Sequence, residues 1–534
     1  MMKVSSPSRQ WRVWTVLAVA GLALALLTHL PKHGPGYMDA YYHLTIAGRI
    51  AGGQGFTEPF VWNYLDAPDD IPHPSHLYWT PLPSILAAGA IRLLGNSYSA
   101  ASLPFILCTA ALPLLTFGLA RRLGAAVPEA GASALLVPLA GFYAAYWTSP
   151  DSFAPFAAAG CGALWLMARA DESRWRALAA GLCAGVGHLA RPDGLLLLAV
   201  GLLWVAWAWA KGRAPRARAL WASLAMLVGY ALVMAPWFAR NWAAAGSPLA
   251  GGGLSALFLR DYDELYAARH IPALTDYLAW GAGNIAASKV GALASNLMTL
   301  VGALLVALAV PAAWGVWARR WDAHLWPALT FGGLLYLAMS LAFTFPGIRG
   351  SFFHSAGALL PFLFAAVFPG LRAGVAWVGA RRPSWNTAQA CRVFAVALVV
   401  MALLVSGALY ARAIAGRGPA VPPWNARYEA YPAVARWLEE HAGAGERVLV
   451  GDPPAFYYYS GRECVAIPSD GMDALRFVQA KYRARWLVLE YNHPRFLDGV
   501  YSEGKAPEGW VVRQVFHDAS GQKVVLYEMG EGVQ

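Results

Sequence analysis

Charge is scarce in this chain. Asp, Glu, Lys and Arg make up 13% of its 534 residues against 58% hydrophobic, and mean hydropathy is +0.43. So few charges exclude an ordinary soluble domain, and the composition is that of a polytopic α-helical membrane protein. Cysteine is scarcer still. Cys108, Cys161 and Cys183 sit in apolar segments, Cys391 at the foot of one, and Cys464 alone in the polar C-terminal part, which excludes a disulfide framework and a cysteine-based metal centre. Low-complexity tracts and repeats of solenoid period are lacking too. Positive charge is the exception, with a net charge of +11. Its placement argues against nucleic acid as a partner, because the basic residues fall in short clusters between apolar segments, as in cytoplasmic loops.

Those clusters define a topology. Lys3, Arg9 and Arg12 precede the apolar run 13–30, which reads as a signal anchor with its N-terminus in the cytoplasm. The apolar piece 81–94 is shorter than the roughly 20 residues a crossing needs. Kept on the outer surface as a juxtamembrane helix, it lets Arg121-Arg122, Arg169/Arg174/Arg176, Lys211/Arg213/Arg216/Arg218, Arg319-Arg320 and Arg372/Arg381/Arg382/Arg392 all fall inside. The expected spans are roughly 13–30, 99–120, 129–147, 152–168, 176–190, 194–210, 219–238, 290–317, 323–345, 352–371 and 392–412, about eleven in all. Residues 1–412 thus form a transmembrane domain with a first outer loop at 31–98 and a second at 239–289. Residues 413–534 read as an outer, water-soluble α/β domain, with helices at 427–441 and 472–482, strands at 447–450, 463–467 and 486–490, and a hairpin around Ser520-Gly521.

This topology gathers polar residues at the outer membrane boundary, where a site is expected. Tyr37-Met38-Asp39-Ala40-Tyr41-Tyr42-His43 follows the first span. On a helix, Asp39, Tyr42 and His43 share a face at i, i+3, i+4. Asp39 suits an N-cap, and a carboxylate so placed also suits general-base chemistry. His43 could orient Asp39, bind phosphate or ligate a metal. Asp151, in Ser149-Pro150-Asp151-Ser152, is a second outer acid at a helix start. Arg191, Arg240 and Arg349 lie where basic residues are disfavoured, and guanidinium matches phosphate. His73 and His76, ahead of Tyr78-Trp79, could line the same cavity, although Pro72 and Pro74 give this region the look of an ordinary rigid loop, and Asp66, Asp69 and Asp70 read as solvated loop charges. Tyr457-Tyr458-Tyr459 suits either sugar stacking or a buried strand.

Asp39-Ala-Tyr-Tyr-His43, Tyr78-Trp79-Thr80-Pro81-Leu82, Thr148-Ser-Pro-Asp151, Leu189-Ala-Arg-Pro-Asp-Gly194 and Pro236-Trp-Phe-Ala-Arg-Asn241 together resemble the GT-C membrane glycosyltransferases, and the soluble tail resembles the periplasmic domains that some members carry. The resemblance implies an enzyme that transfers a sugar from a polyprenyl-phosphate or polyprenyl-diphosphate carrier to a glycan, lipid or protein acceptor by inverting displacement in a bacterial-type inner membrane. It assigns Asp39 the base role, with Asp151 as the second acid; a divalent metal is compatible with it and not demanded. Two departures matter. The aminoarabinose-transferase relatives carry Lys before the juxtamembrane Pro, where this chain has Thr80. The His73–Leu82 stretch is similar to oligosaccharyltransferase subunits, but Val450-Gly451-Asp452-Pro453 stands where a Trp-Trp-Asp motif would. A flippase for lipid-linked sugars is the rival reading, although transporters place ionisable groups near the midplane, commonly in repeated halves.

Overall fold

The computed structural model describes residues 7–66, 68–249, 255–345, 349–382, 384–416 and 422–530; Lys3 lies outside them. Among the described residues, seven helices are long and apolar enough to cross a membrane: Trp11–His29, Tyr98–Arg122, Pro192–Ala210, Arg216–Ala245, Ala282–Ala303, Ser351–Gly379 and Thr387–Ala415. Where the sequence suggested further crossings there are shorter helices, Val127–Leu139, Phe153–Met167 and Trp326–Leu341 with Arg174–Ala190. The expected span 290–317 is two helices, broken where Leu305 and Val306 take φ values of 53° and 61°. Such a conformation is costly for a branched residue. Burial of Leu304, Leu305 and Leu308 in the core around Trp147 offsets it.

The bundle has two chemically different ends. His29, closing the first helix, stacks on Tyr98 at the start of Tyr98–Arg122, and Lys32 Nζ donates to Ala145 O and Thr148 Oγ1. These contacts bring the turn before Asp151 to the Tyr98 end. Arg121 and Arg122 lie at the other end of that helix, about 37 Å away for 25 residues. There Arg122 Nη1 meets His324 Nε2 at 3.2 Å, Arg372 pairs with Glu129, and Arg213 lies 3.7 Å from Asp171. Basic residues therefore collect at one end and the acids of interest at the other, as their sequence spacing required.

Close helix crossings rest on glycine. A Cβ on Gly181 would lie 2.0 Å from Met226 O, and one on Gly229 2.3 Å from Leu178 O, so the backbones of Arg174–Ala190 and Arg216–Ala245 touch as only small residues allow. Gly181→Val is expected to destabilise the protein by roughly 2 kcal/mol, read as a lower melting temperature in detergent; an unchanged melt would refute this crossing.

The helix Leu82–Leu94 packs Ala87, Ala88 and Ile91 on Leu44 and Ala47 of Met38–Ala51. Both are too short to span and roof the cavity end. Strands β1 (Thr57–Glu58) and β3 (His73–Pro74) form a small antiparallel ladder. The remaining strands, β2 (Phe60–Val61), β4 (Arg447–Val450), β5 (Cys464–Ala466), β6 (Ala484–Leu489), β7 (Trp510–His517) and β8 (Lys523–Met529), build one sheet in the order β2-β5-β4-β6-β8-β7. The C-terminal sheet thus takes its edge strand from the first loop, with Phe60 opposite Cys464 and Val61 opposite Val465. The tail helices expected from sequence occupy Tyr431–His441 and Met472–Tyr482. Tyr457-Tyr458-Tyr459 lies on a helix, Pro453–Ser460, not on a strand: Asp452 caps its first turn, accepting from Ala455 N at 3.1 Å, and Gly461 closes it in the left-handed region.

Candidate active site

The site is a cavity of about 730 Å³ between the bundle end and the C-terminal sheet. The helix Met38–Ala51 starts at Tyr37, whose extended backbone is the N-cap, so Asp39 belongs to the first turn and is not the cap. In that turn its carboxylate sits in the positive field of the helix N-terminus. A quarter of the Asp39 side chain faces the cavity, and Oδ2 lies 4.0 Å from His354 Nε2. Close by, Asp151 is buried; its Oδ2 accepts from the Tyr37 hydroxyl at 2.8 Å and its Oδ1 accepts from the Ser152 amide. His354 Nδ1 is 3.8 Å from Asp151 Oδ2, and His43 Nε2 is 3.9 Å from Asp151 Oδ1. Two carboxylates thus share one imidazole, with a second imidazole behind.

The environment separates the two acids. Burial, reinforced by the Asp151 charge, pushes the Asp39 carboxyl up to about 8 against the opposing pull of Arg191. Burial also works against ionisation of Asp151, yet the His354 and His43 rings, the Ser152 amide and the Tyr37 hydroxyl together hold it below its ordinary value. Burial keeps His43 largely neutral, pushing it down to about 4. Its effect on Asp151 is therefore dipolar at neutral pH, and we credit the amide and the phenol with most of the stabilisation. One proton-accepting group poised near neutrality beside one fixed anion is the arrangement of acid–base sites.

Arg191 lies 8% exposed at the cavity wall. Its guanidinium donates to Ser355 Oγ at 3.1 Å, Ser152 Oγ at 3.3 Å, Ser351 Oγ at 3.0 Å and Asp193 Oδ2 at 3.3 Å. Arg349 lines the same cavity, is exposed, and stands 5.0 Å over the Tyr262 ring. Arg240 does not line it. Its Nη2 donates to Phe56 O at 3.1 Å and Ser75 O at 2.7 Å, which makes it a clamp on the first loop and removes it from the phosphate-binding candidates. His43 and Tyr78 reach the cavity; Tyr42 and His76 stand behind its wall. There the Tyr42 hydroxyl accepts from His76 N at 2.7 Å, while Ser84 Oγ bridges His76 Nε2 and His43 Nδ1, each at 3.0 Å. Trp62 and Trp79, stacked at 3.8 Å, give the cavity an aromatic flank suited to sugar faces.

Sequence reasoning passed over several contributors. His354 belongs to none of the motifs that the sequence offers. Asp452 and Arg427 reach the cavity from the tail; burial pushes Asp452 up to about 6 while the Tyr428 hydroxyl donates to it at 2.6 Å. The Asp-Pro-Pro capping signal at 452–454 could have located that helix start. Lys32 is buried against Trp424 at 4.6 Å, and burial pushes it down to about 7.

Asp39, Asp151 and His354 offer ligand atoms that all lie within 4.8 Å of one another. Two carboxylates and an imidazole suit a divalent ion of the Mn2+ or Zn2+ kind, so these residues fit a metal at the reacting centre.

Residues 73–238 match the family described as dolichyl-phosphate-mannose-protein mannosyltransferase. No curated protein matches the sequence. Among solved structures, the oligosaccharyltransferase of Archaeoglobus fulgidus is similar with a TM-score of 0.60 at 12% identity, covering 91% of this chain and 70% of that one. ArnT from Cupriavidus metallidurans, solved with undecaprenyl phosphate, is similar with a TM-score of 0.56 at 14% identity, covering 98% and 99%. The chain shares the fold of these two solved structures.

Proposed function

We propose that this chain is a membrane glycosyltransferase that moves a sugar from a polyprenyl-phosphate or polyprenyl-diphosphate carrier to an extracytoplasmic acceptor by one inverting displacement. The observation that carries the reading is the pairing of Asp39 with Asp151 around His354, beside Arg191, in a cavity at the end of the bundle. A polyprenyl tail stays in the bilayer while its phosphate sits at the headgroup level, and only a site at a bundle end meets both demands.

The step balances as follows. The acceptor hydroxyl or amide attacks the anomeric carbon and passes its proton to Asp39; the new bond to carbon forms as the bond from carbon to the phosphate oxygen breaks, and the electron pair leaves on the phosphate. Asp151, already ionised, holds His354 and Tyr37 in place. The departing phosphate needs positive charge more than a proton, and Arg191 and Arg349 supply it. A divalent ion held by Asp39, Asp151 and His354 would add to that charge when bound. Segregation of the basic clusters to the far end supports an inner-membrane orientation with the N-terminus inside and the cavity outside.

The test is sugar transfer by the purified protein, reconstituted with a panel of polyprenyl-phosphate and polyprenyl-diphosphate sugars. Passage of an intact lipid-linked sugar across the bilayer, without consumption, would instead make the chain a flippase. The pH dependence is a second check. A base with its carboxyl near 8 gains its active form as pH rises, so kcat/KM measured with chelator and no added divalent ion should climb close to tenfold per unit below about 8 and level off above. A flat profile from pH 6 to 9 removes Asp39 from the base role.

A further inference from the structure

The first loop holds a second convergence of ligands that the transfer reaction does not use. Glu58 closes β1 and His73 opens β3, and the two are register partners in the ladder. Glu58 Oε1 stands 3.1 Å from His73 Nε2. Asp66, from the loop the ladder closes, completes the set: one ligand atom from each of the three lies within 4.8 Å of the others. Glu58 is 3% exposed and His73 8%. Asp66 is not a solvated loop charge, since its Oδ1 is buried. That atom and Glu58 Oε2 both lack a hydrogen-bond partner. None of the three residues lines the cavity.

Two buried carboxylate oxygens without donors are expensive. The groups around them relieve this only in part. The Tyr42 hydroxyl, which accepts from His76 N, donates to the Glu58 carboxyl and relieves part of this cost, but Asp66 Oδ1 has no such donor, and the Arg240 guanidinium, which flanks Glu58, directs its donors to the carbonyls of Phe56 and Ser75 and to Asn241 Oδ1. A divalent cation satisfies both oxygens and the ring nitrogen at once. A tetrahedral ion with bonds of about 2.1 Å spaces its ligands about 3.4 Å apart, so the cluster closes on one by side-chain rotation. His73 Nε2 donates to the Phe60 carbonyl at 3.1 Å, a proton the ring gives up when Nε2 takes the cation instead. An imidazole with two carboxylates and no thiolate selects Zn2+ or Mn2+ over Ca2+ and Mg2+.

We propose that Glu58, Asp66 and His73 bind one structural transition-metal ion of the Zn2+ class that staples the first loop. The ladder is two residue pairs long, and the stretch 59–72 that it closes carries both β2, the edge strand of the C-terminal sheet, and Trp62, which stacks on Trp79 at the cavity wall. The ion fixes the joint between bundle and tail, at a distance from the reacting groups.

The experiment is metal analysis of the full-length protein purified without chelator. Wild type is expected to carry one equivalent of Zn2+ or Mn2+ that the Glu58→Gln/His73→Gln variant loses and the Asp39→Asn/Asp151→Asn variant keeps. Co2+ added to stripped protein should give a visible absorption band in wild type that Asp66→Asn weakens. Should the double variant fail to fold, the melting temperature of the stripped Asp39→Asn/Asp151→Asn variant, which lacks the carboxylates of the reacting centre, decides: saturating Zn2+ raises it by several degrees if the first-loop site is real. A wild-type protein with no bound metal and no Co2+ band, together with no Zn2+ shift in the stripped variant, overturns the proposal, as does a Glu58→Gln/His73→Gln variant with undiminished metal.

Discussion

Asp39→Asn is expected to reduce kcat for sugar transfer by about a thousandfold, the upper part of the range for loss of a positioned base, while leaving the fold intact. The second half of that expectation follows from the environment. Burial and the charge of Asp151 already favour the protonated form of Asp39 near neutrality, and asparagine has the shape and neutrality of that form. No buried charge loses a partner, because Asp151 keeps the Tyr37 hydroxyl and the Ser152 amide. Donor binding should therefore change little, and the melting temperature should hold or rise slightly. A loss confined to kcat is the signature of an interaction made in the transition state. The measurement is single-turnover transfer from a labelled polyprenyl-phosphate sugar, with donor affinity read separately; transfer at the wild-type rate would end the assignment.

Arg191→Lys is expected to reduce kcat/KM by roughly a hundredfold, and Arg191→Ala to destabilise the protein by about 3 kcal/mol. The guanidinium reaches Ser152, Ser351, Ser355 and Asp193 at once, a fan of donors that a single ammonium cannot reproduce. It also joins three stretches of the bundle end, so alanine leaves Asp193 buried with a hydroxyl as its remaining partner. Lysine keeps the charge and tests geometry; alanine tests stability. Arg349 is exposed and stacks only on Tyr262, and Arg349→Lys should lose less than tenfold. Equal effects at the two positions would refute the ranking of the arginines, and donor kinetics with thermal melts for each variant measure it.

Much of the site was legible in one dimension because topology is written in charge. Once Arg121-Arg122 and the later clusters are placed on one face, Asp39, Asp151, Arg191 and Arg349 must fall on the other, and the cavity does collect all four. Arg240 shows the limit. It lies on the same side and reads the same in sequence, yet it turns to two loop carbonyls. Guanidinium suits a carbonyl pair as well as a phosphate, and only the folded loop offers the carbonyls. The tail was read well where elements were long, as at Met472–Tyr482. The strand Phe60–Val61 has no sequence signal, since two residues carry no period and their partner lies some 400 positions away.

By itself, the sequence determined the class, the segregation of basic from acidic groups and the one helix at 81–94 too short to cross, because bilayer thickness and the cost of burying charge act on every segment independently. Only the tertiary structure decided that His354 stands between Asp39 and Asp151, that Asp452 and Arg427 close the cavity from the tail, and that Glu58, Asp66 and His73 converge. Those are meetings between segments far apart in the chain, and their distances depend on how helices cross at glycine and how a two-residue strand docks.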